Sequence, residues 1–181
     1  FNKVQQDENT RVVSVAEAGD VQMGRQRSPE FEAGVAPRPY LRVANVYDGY
    51  LDLTDVKHMD FVGEEFNRYR LDSGDVLLVE GHSSADVVGR SCVYDGEVPD
   101  CCFQNTLIRF RPYSVSPELA HQYFRFCLYT GAFSKVAKQT TIAHLGAQRF
   151  AAMEFPLVSP KQDEEIVGAI RSLEQGTARL S

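Results

Sequence analysis

No run of about 18 apolar residues occurs in this 181-residue chain, and its opening, FNKVQQDENT, is polar with no hydrophobic stretch behind it. Neither a transmembrane helix nor a secretory leader is therefore expected, and the reading is of a cytoplasmic protein without membrane contact. The first residue is Phe rather than Met, which fits either an internal fragment of a longer protein or a trimmed terminus. Cysteine is scarce. Cys92, Cys101, Cys102 and Cys127 are too few and too irregular for a disulfide framework, and adjacent Cys101 and Cys102 lack the C-x2-C spacing of a zinc knuckle. Buried free thiols are the expectation. The four histidines, His58, His82, His121 and His144, show no H-x3-H or H-E-x-x-H pattern, so no metal site is expected.

Excess positive charge is also missing. A net charge of -6 and a pI of about 5.2 argue against a stand-alone nucleic-acid binder, because neutralising phosphates normally demands a basic surface. Counted by segment, the charge is uneven: residues 59–102 hold ten acidic and three basic residues, whereas 103–149 hold six Arg or Lys and a single acid, Glu118. That polarity is consistent with one face for DNA and another for something else, or with a chance imbalance. Catalytic signatures are absent as well. There is no FxGxG-like loop for S-adenosylmethionine, no NPPY or DPPY tetrapeptide, no E-x-K following Asp75 to Glu80 as a nuclease would need, and no G-x4-GK[ST] loop for ATP. Methylation, cleavage and translocation are not expected of this chain alone.

What is present is a chain with 43% hydrophobic residues, enough for one compact domain with a small appended element. VVSVAEAG (12–19) and YLRVANV (40–46) read as strands, separated by a long loop rich in Gly, Pro and Arg. Residues 61–70 are compatible with a helix. The turn at 72–75 leads into VLLVEG, a buried strand, and VVGRSCVY (87–94) and NTLIRF (105–110) are further strands around the DGEVPD turn. Helices dominate afterwards. Ser116-Pro117 supplies an N-cap with Pro at the first helical position, and Leu119, Tyr123, Phe126 and Cys127 recur at helical spacing up to Gly131. A shorter helix is predicted over 133–138. After the extended EFPLV, Ser159-Pro160-Lys161-Gln162 forms a capping box. The helix it opens carries Ile166, Ile170 and Leu173 at coiled-coil steps, a seam of about two heptads that is too short to be stable without a partner.

Three stretches in order carry a resemblance: QMGRQRSP at 22–29 with PYLRVANV at 39–46, RYRLDSGDVLLVEG at 68–81, and TTIAHLGAQRF through FPLVSPKQDEEIV between 140 and 167. VGRS at 88–91 and CCFQNTLIRF at 101–110 extend it. The chain resembles the specificity subunits of type I restriction-modification systems and the recognition domains of related fused restriction-methylation enzymes. The family's PLPPLxEQ entry to its spacer helix appears here, more loosely, as Pro156-Leu157-Val158-Ser159-Pro160-Lys161-Gln162. The fold expected is α+β, a twisted and largely antiparallel sheet with packed helices. Residues 1–158 would form a target-recognition domain and 159–181 the start of the coiled-coil spacer.

The resemblance implies a non-catalytic module that reads one half of a bipartite site in double-stranded DNA and positions methyltransferase subunits, possibly with a restriction subunit. A second recognition domain would come from the same chain or from homodimerisation. No cofactor is expected of the chain itself, because S-adenosylmethionine, ATP and magnesium would belong to partner subunits. A protein-interaction module that never touches DNA is the competing expectation.

Within this frame the candidate DNA contacts can be named. Gln22 opens the long loop and Arg25, Gln26 and Arg27 lie in it between Gly24 and Pro29, with residue types suited to guanine and adenine edges; a solvated polar loop is the alternative. Lys135, Lys138, Gln139, Thr140 and Thr141, with His144 just beyond, make a polar, basic segment suited to phosphates; a helix end capped by Thr is the alternative. Glu80, His82 and Ser83 follow a buried strand, where a carboxylate can accept from cytosine; acid–base catalysis by Glu80 and His82 lacks any nucleophile or metal partner. Tyr40, Arg42, Asn45 and Arg90 are contacts or buttresses. Ile166, Ile170 and Leu173 are the candidate partner or oligomer surface.

Overall fold

In a computed structural model the described residues are 10–32, 34–139 and 142–178. At its centre is a four-stranded antiparallel sheet in the order β2 (Gly19–Met23), β9 (Leu107–Pro112), β5 (Asp75–Val79), β7 (Ser91–Tyr94). Every residue of β5, DVLLV, is buried. This explains why its sequence is a continuous apolar run rather than an alternation: both faces of the strand are covered.

On one face Val76, Leu78, Ile108 and Phe110 meet α3 (Pro117–Tyr129), α4 (Ala132–Val136), α5 (Ala147–Ala151) and β12 (Glu154–Leu157). The ring of Phe110 is the hub of this core, with Phe124, Phe150 and Phe155 at centroid distances of 5.2, 6.4 and 5.9 Å. On the other face Leu77, Val79 and Leu107 pack with Leu41, Tyr94, Cys101 and Phe103. A second sheet closes that side: β4 (Lys57–Asp60), β3 (Pro37–Leu41) and β8 (Cys102–Phe103), with β3 and β8 parallel. The four cysteines are free and buried, and burial pushes the thiols of Cys92, Cys101 and Cys102 up to about 12. The architecture is α+β and largely antiparallel, and the described chain ends in a helix, α6 (Pro160–Ala178). No helix among the described residues is long and apolar enough to cross a membrane.

Several local expectations differ from the structure. The strand expected over 12–19 stops at Ser14 (β1, Arg11–Ser14), because Ser14 caps a helical turn, α1 (Val15–Ala18): Glu17 N donates to Ser14 Oγ, and Glu17 accepts from Ser14 N at 2.8 Å. The strand expected over 40–46 begins earlier, at Pro37, and gives way at Val43–Asn45 to a 3-10 turn stabilised by Arg42 N donating to Asn45 Oδ1. Residues 87–90 are not strand. Gly89 adopts φ +88° and lies so close to Phe133 that a Cβ would stand 2.1 Å from its ring.

The two strongest helix signals hold. Ser116 Oγ accepts from Leu119 N at 3.1 Å, and Ser159 and Gln162 form the reciprocal capping box. Helix α6 does not leave the domain directly. Asp163 is buried and accepts from Ser116 N at 2.6 Å, Val167 joins the main core, and Arg171 pairs with Glu118 at 2.6 Å, so α6 runs alongside α3. The apolar seam is therefore divided. Ile166 packs on the core, Ile170 is half-buried beside Gln122, and Leu173 is 71% exposed.

Candidate nucleic-acid interface

Strand β9 is antiparallel to both β2 and β5, so the ends of β2 and β5 lie beside the starts of β9 and β7. One end of the sheet thus collects Gly24–Arg27, Glu80–Arg90 and Gln104–Thr106. Cross-links tie them together: Arg25 N donates to Phe103 O, Asn105 N to Arg25 O, Glu80 N to Thr106 O, and Val43 N to Thr106 Oγ1. Candidates that are scattered along the sequence are neighbours here.

The end has two halves. In the first, β6 (Gly81–His82), β11 (Ala143–His144) and β10 (Lys138–Gln139) form a small antiparallel sheet in which Ala143 faces His82 and Lys138 faces His144. Glu80 is buried and accepts from Gly146 N at 3.2 Å, with His144 Nδ1 at 2.9 Å. Its partner is thus His144 and not His82, whose Nδ1 accepts from Ser84 N at 3.0 Å. With both its oxygens engaged, Glu80 ties the β11 hairpin to the main sheet. Ser83 is exposed beside them. Thr140 and Thr141 lie outside the described residues.

The second half corrects the loop picture for Arg25. Its side chain is not displayed to solvent: Arg25 is 5% exposed, donates to the backbone carbonyl of Asp60, pairs with Glu65 at 2.7 Å and lies over the Phe31 ring at 3.5 Å. A guanidinium held this way has its donors committed inside the fold. Burial opposes ionisation of Asp60, but amides from Ala36, Val35 and Gly34 together with the Arg25 charge hold its carboxyl below the usual range.

Asn45 is likewise buried, with its amide donating to the carbonyls of Asp52 and Asp55, and Arg42 pairs with Asp55 at 2.6 Å. Gln22 donates to Met23 O. Gln26 and Arg27 are the exposed members of the loop. Beside Arg27 opens a polar cleft of about 610 Å³ lined by Tyr40, Arg42, Lys57, His58 and Gln104. Lys57, His58 and Gln104 were not singled out from the sequence; β4 gave no strand signal, and Gln104 reaches the site through the β8–β9 connection.

The uneven charge along the chain does not become a basic face either. Of the six basic residues in 103–149, Arg109 pairs with Asp20 at 2.5 Å, Arg111 with Asp75 at 2.7 Å and Arg125 with Asp48 at 2.9 Å. Acids from outside the segment neutralise half of it.

No protein-family model matches the chain. A stretch of 58 residues, 32% of the chain, is 34% identical to the type I restriction enzyme EcoKI specificity subunit of Escherichia coli K12, covering 12% of that protein. Among solved structures, 96% of the chain superposes with a TM-score of 0.72 and 18% identity on a chain from a structure of the assembly and conformational transition of the type I R-M system. It also superposes with a TM-score of 0.69 and 19% identity on the HsdS subunit from Thermoanaerobacter tengcongensis, over 96% of its length. The S subunit from M. genitalium follows, at 0.60 and 12% identity over 92%. The chain spans 39–40% of the length of these three structures. The resemblance read from the sequence blocks is thus matched by the fold, which is that of a type I restriction-modification specificity subunit over about two-fifths of its length.

Proposed function

We propose that this chain is a target-recognition module that reads one half of a bipartite site in double-stranded DNA and positions partner methyltransferase subunits without catalysing a reaction itself. The observation that carries the reading is convergence. Strands and loops distant in sequence bring Gln26, Arg27, His82, Ser83, Arg90 and His144 to one end of a sheet whose fold is shared with type I specificity subunits. Gln26 and Arg27 suit base edges, and Lys135 and Lys138 suit phosphates. Helix α6 would begin the spacer toward a second recognition domain, from the same chain or a second copy. S-adenosylmethionine, ATP and magnesium are assigned to the partners.

One observation favours the rival reading, a protein-interaction module: the net charge is -6, and most arginines among the described residues pair with carboxylates of the chain itself. Sequencing the modified bases of cells that carry the complete system would identify the motif. A duplex with that motif should then bind in a salt-dependent manner, with about 1–3 kcal/mol lost for a single changed base pair. Binding that is indifferent to sequence, or tight association with a protein and none with DNA, would reject the proposal.

A further inference from the structure

The turn Tyr47-Asp48-Gly49-Tyr50 is fixed from several sides. A bridge between Val46 and Leu51 closes it, Tyr47 N donates to Tyr50 O, and Gly49, at φ +81°, donates to Ser91 O at the first residue of β7. Asp48 accepts from Arg125 Nε at 2.9 Å and from the Tyr129 hydroxyl, which ties the turn to α3. None of these contacts needs an aromatic side chain, yet the turn carries two, stacked with centroids 5.0 Å apart and planes 13° from parallel. Tyr50 is 58% exposed, so burial does not explain its ring.

Arg90 completes the arrangement, with its guanidinium carbon 4.6 Å from the Tyr47 ring centre. Its Nε is buried with no hydrogen-bond partner, and among the described residues no carboxylate pairs with it. Arg25, Arg42, Arg109, Arg111, Arg125 and Arg171 each have such a partner. A guanidinium lying over an aromatic face is oriented by the ring and keeps its in-plane N–H fork for a phosphate. The one acid in the turn, Asp48, is compensated by Arg125.

We propose that Arg90, Tyr47 and Tyr50 form a contact for the sugar–phosphate backbone of duplex DNA. Arg90 supplies the cation, the Tyr47 ring positions it, and the exposed Tyr50 offers its hydroxyl and ring edge. The inference rests on the DNA reading given above and adds to it a site that holds the duplex against the β7 side of the sheet end.

The test titrates a labelled mixed-sequence duplex against the full chain at several salt concentrations. Wild-type protein should bind with a measurable salt slope. Arg90→Ala should reduce that slope by about one unit, as one fewer counterion is released. Tyr50→Ala should weaken binding several-fold with little change of slope, and Arg90→Lys should keep the slope while losing affinity. Because Tyr50 is exposed, its variant remains informative if Arg90→Ala fails to fold. If the wild type binds and both Ala variants match it in affinity and slope, the contact is refuted while the DNA reading stands. If the wild type shows no salt-dependent binding, both fall together.

Discussion

The two ends of the central sheet are built from similar residues and treat charge differently. At the end where β5 begins, Asp75 is 1% exposed and accepts from Arg111 Nε and Nη2 at 2.7 and 2.8 Å. Asp72 also pairs with Arg111, and Asp20 pairs with Arg109. Ser116 and Asp163 lock α6 nearby. At the end where β5 stops, Gln26, Arg27 and Ser83 are exposed, His82 accepts from the backbone N of Ser84, and Arg90 lies over the Tyr47 ring. Two pairs do form there: Arg25 is drawn into the fold by Asp60 and Glu65, and Glu80 holds His144. Arginines neutralised inside the domain serve the scaffold, and on the proposed reading exposed Arg27 and ring-backed Arg90 meet a polyanion. A count of basic residues along the chain cannot separate the two groups.

Removing the hydrophobic hub that both ends share has the largest expected effect. Phe110→Ala should cost about 3–5 kcal/mol, because three surrounding rings cannot collapse into the space, and urea unfolding measures it. Next comes the closed end: Asp75→Ala leaves Arg111 without its main partner. Arg111 is itself 36% exposed, which places the loss at about 3 kcal/mol, the low end of the range for breaking buried pairs. A loss under 1 kcal/mol would break the comparison, since the closed end would then not be scaffold.

Arg25→Ala should behave like a scaffold change, destabilising by about 2 kcal/mol through its lost charged hydrogen bonds, while base preference stays intact. Arg27→Ala should do the reverse, with stability within about 0.5 kcal/mol and preference relaxed at one base pair. Parallel unfolding and binding titrations of the two variants sharpen the contrast; identical behaviour would erase it. Smaller still, Ser116→Ala should cost about 1 kcal/mol for its lost cap, and a double-mutant cycle with Asp163→Asn should show coupling if α6 docks there.

The smallest expected effect is a pH dependence. Burial lowers the pKa of His121 behind the tyrosine turn, with Arg125 adding to the shift, while the donation of its Nε2–H to Ser91 O at 3.0 Å, Asp48 and Glu174 oppose it. The folded value is below the unfolded one, so this stabilisation is complete above about pH 6.5 and is lost as pH falls toward the folded value. Replacing His121 with Gln should flatten the stability profile below pH 6.5; an unchanged profile would show that other groups set it.

The readable parts of the fold were those where one short-range cause decides the conformation. Ser116-Pro117 and Ser159 through Gln162 specify helix starts by their own hydrogen bonds, and VLLV specifies a strand covered on both faces. Ser14-Val15-Ala16-Glu17 carried the same capping signal, hidden inside an alternating pattern that reads as strand. The β10–β11 hairpin was unreadable because its pairing with β6 depends on Glu80, more than sixty residues away. The same limit applied to the site. His82, Ser83 and Arg90 could be named as candidates from residue type and order, whereas the commitment of Arg25 and Asn45 to internal contacts, and the meeting of Tyr47, Tyr50 and Arg90, could not.

By itself the sequence determined the class of the domain, the capped helices, the buried central strand and the likeness to specificity subunits, all carried by local pattern and the order of blocks. Tertiary structure alone decided which charges cancel. A salt bridge depends on separations of a few ångströms between side chains distant in sequence: Arg109 and Asp20 are 89 residues apart, Arg125 and Asp48 are 77 apart, and only the folded chain brings each pair together.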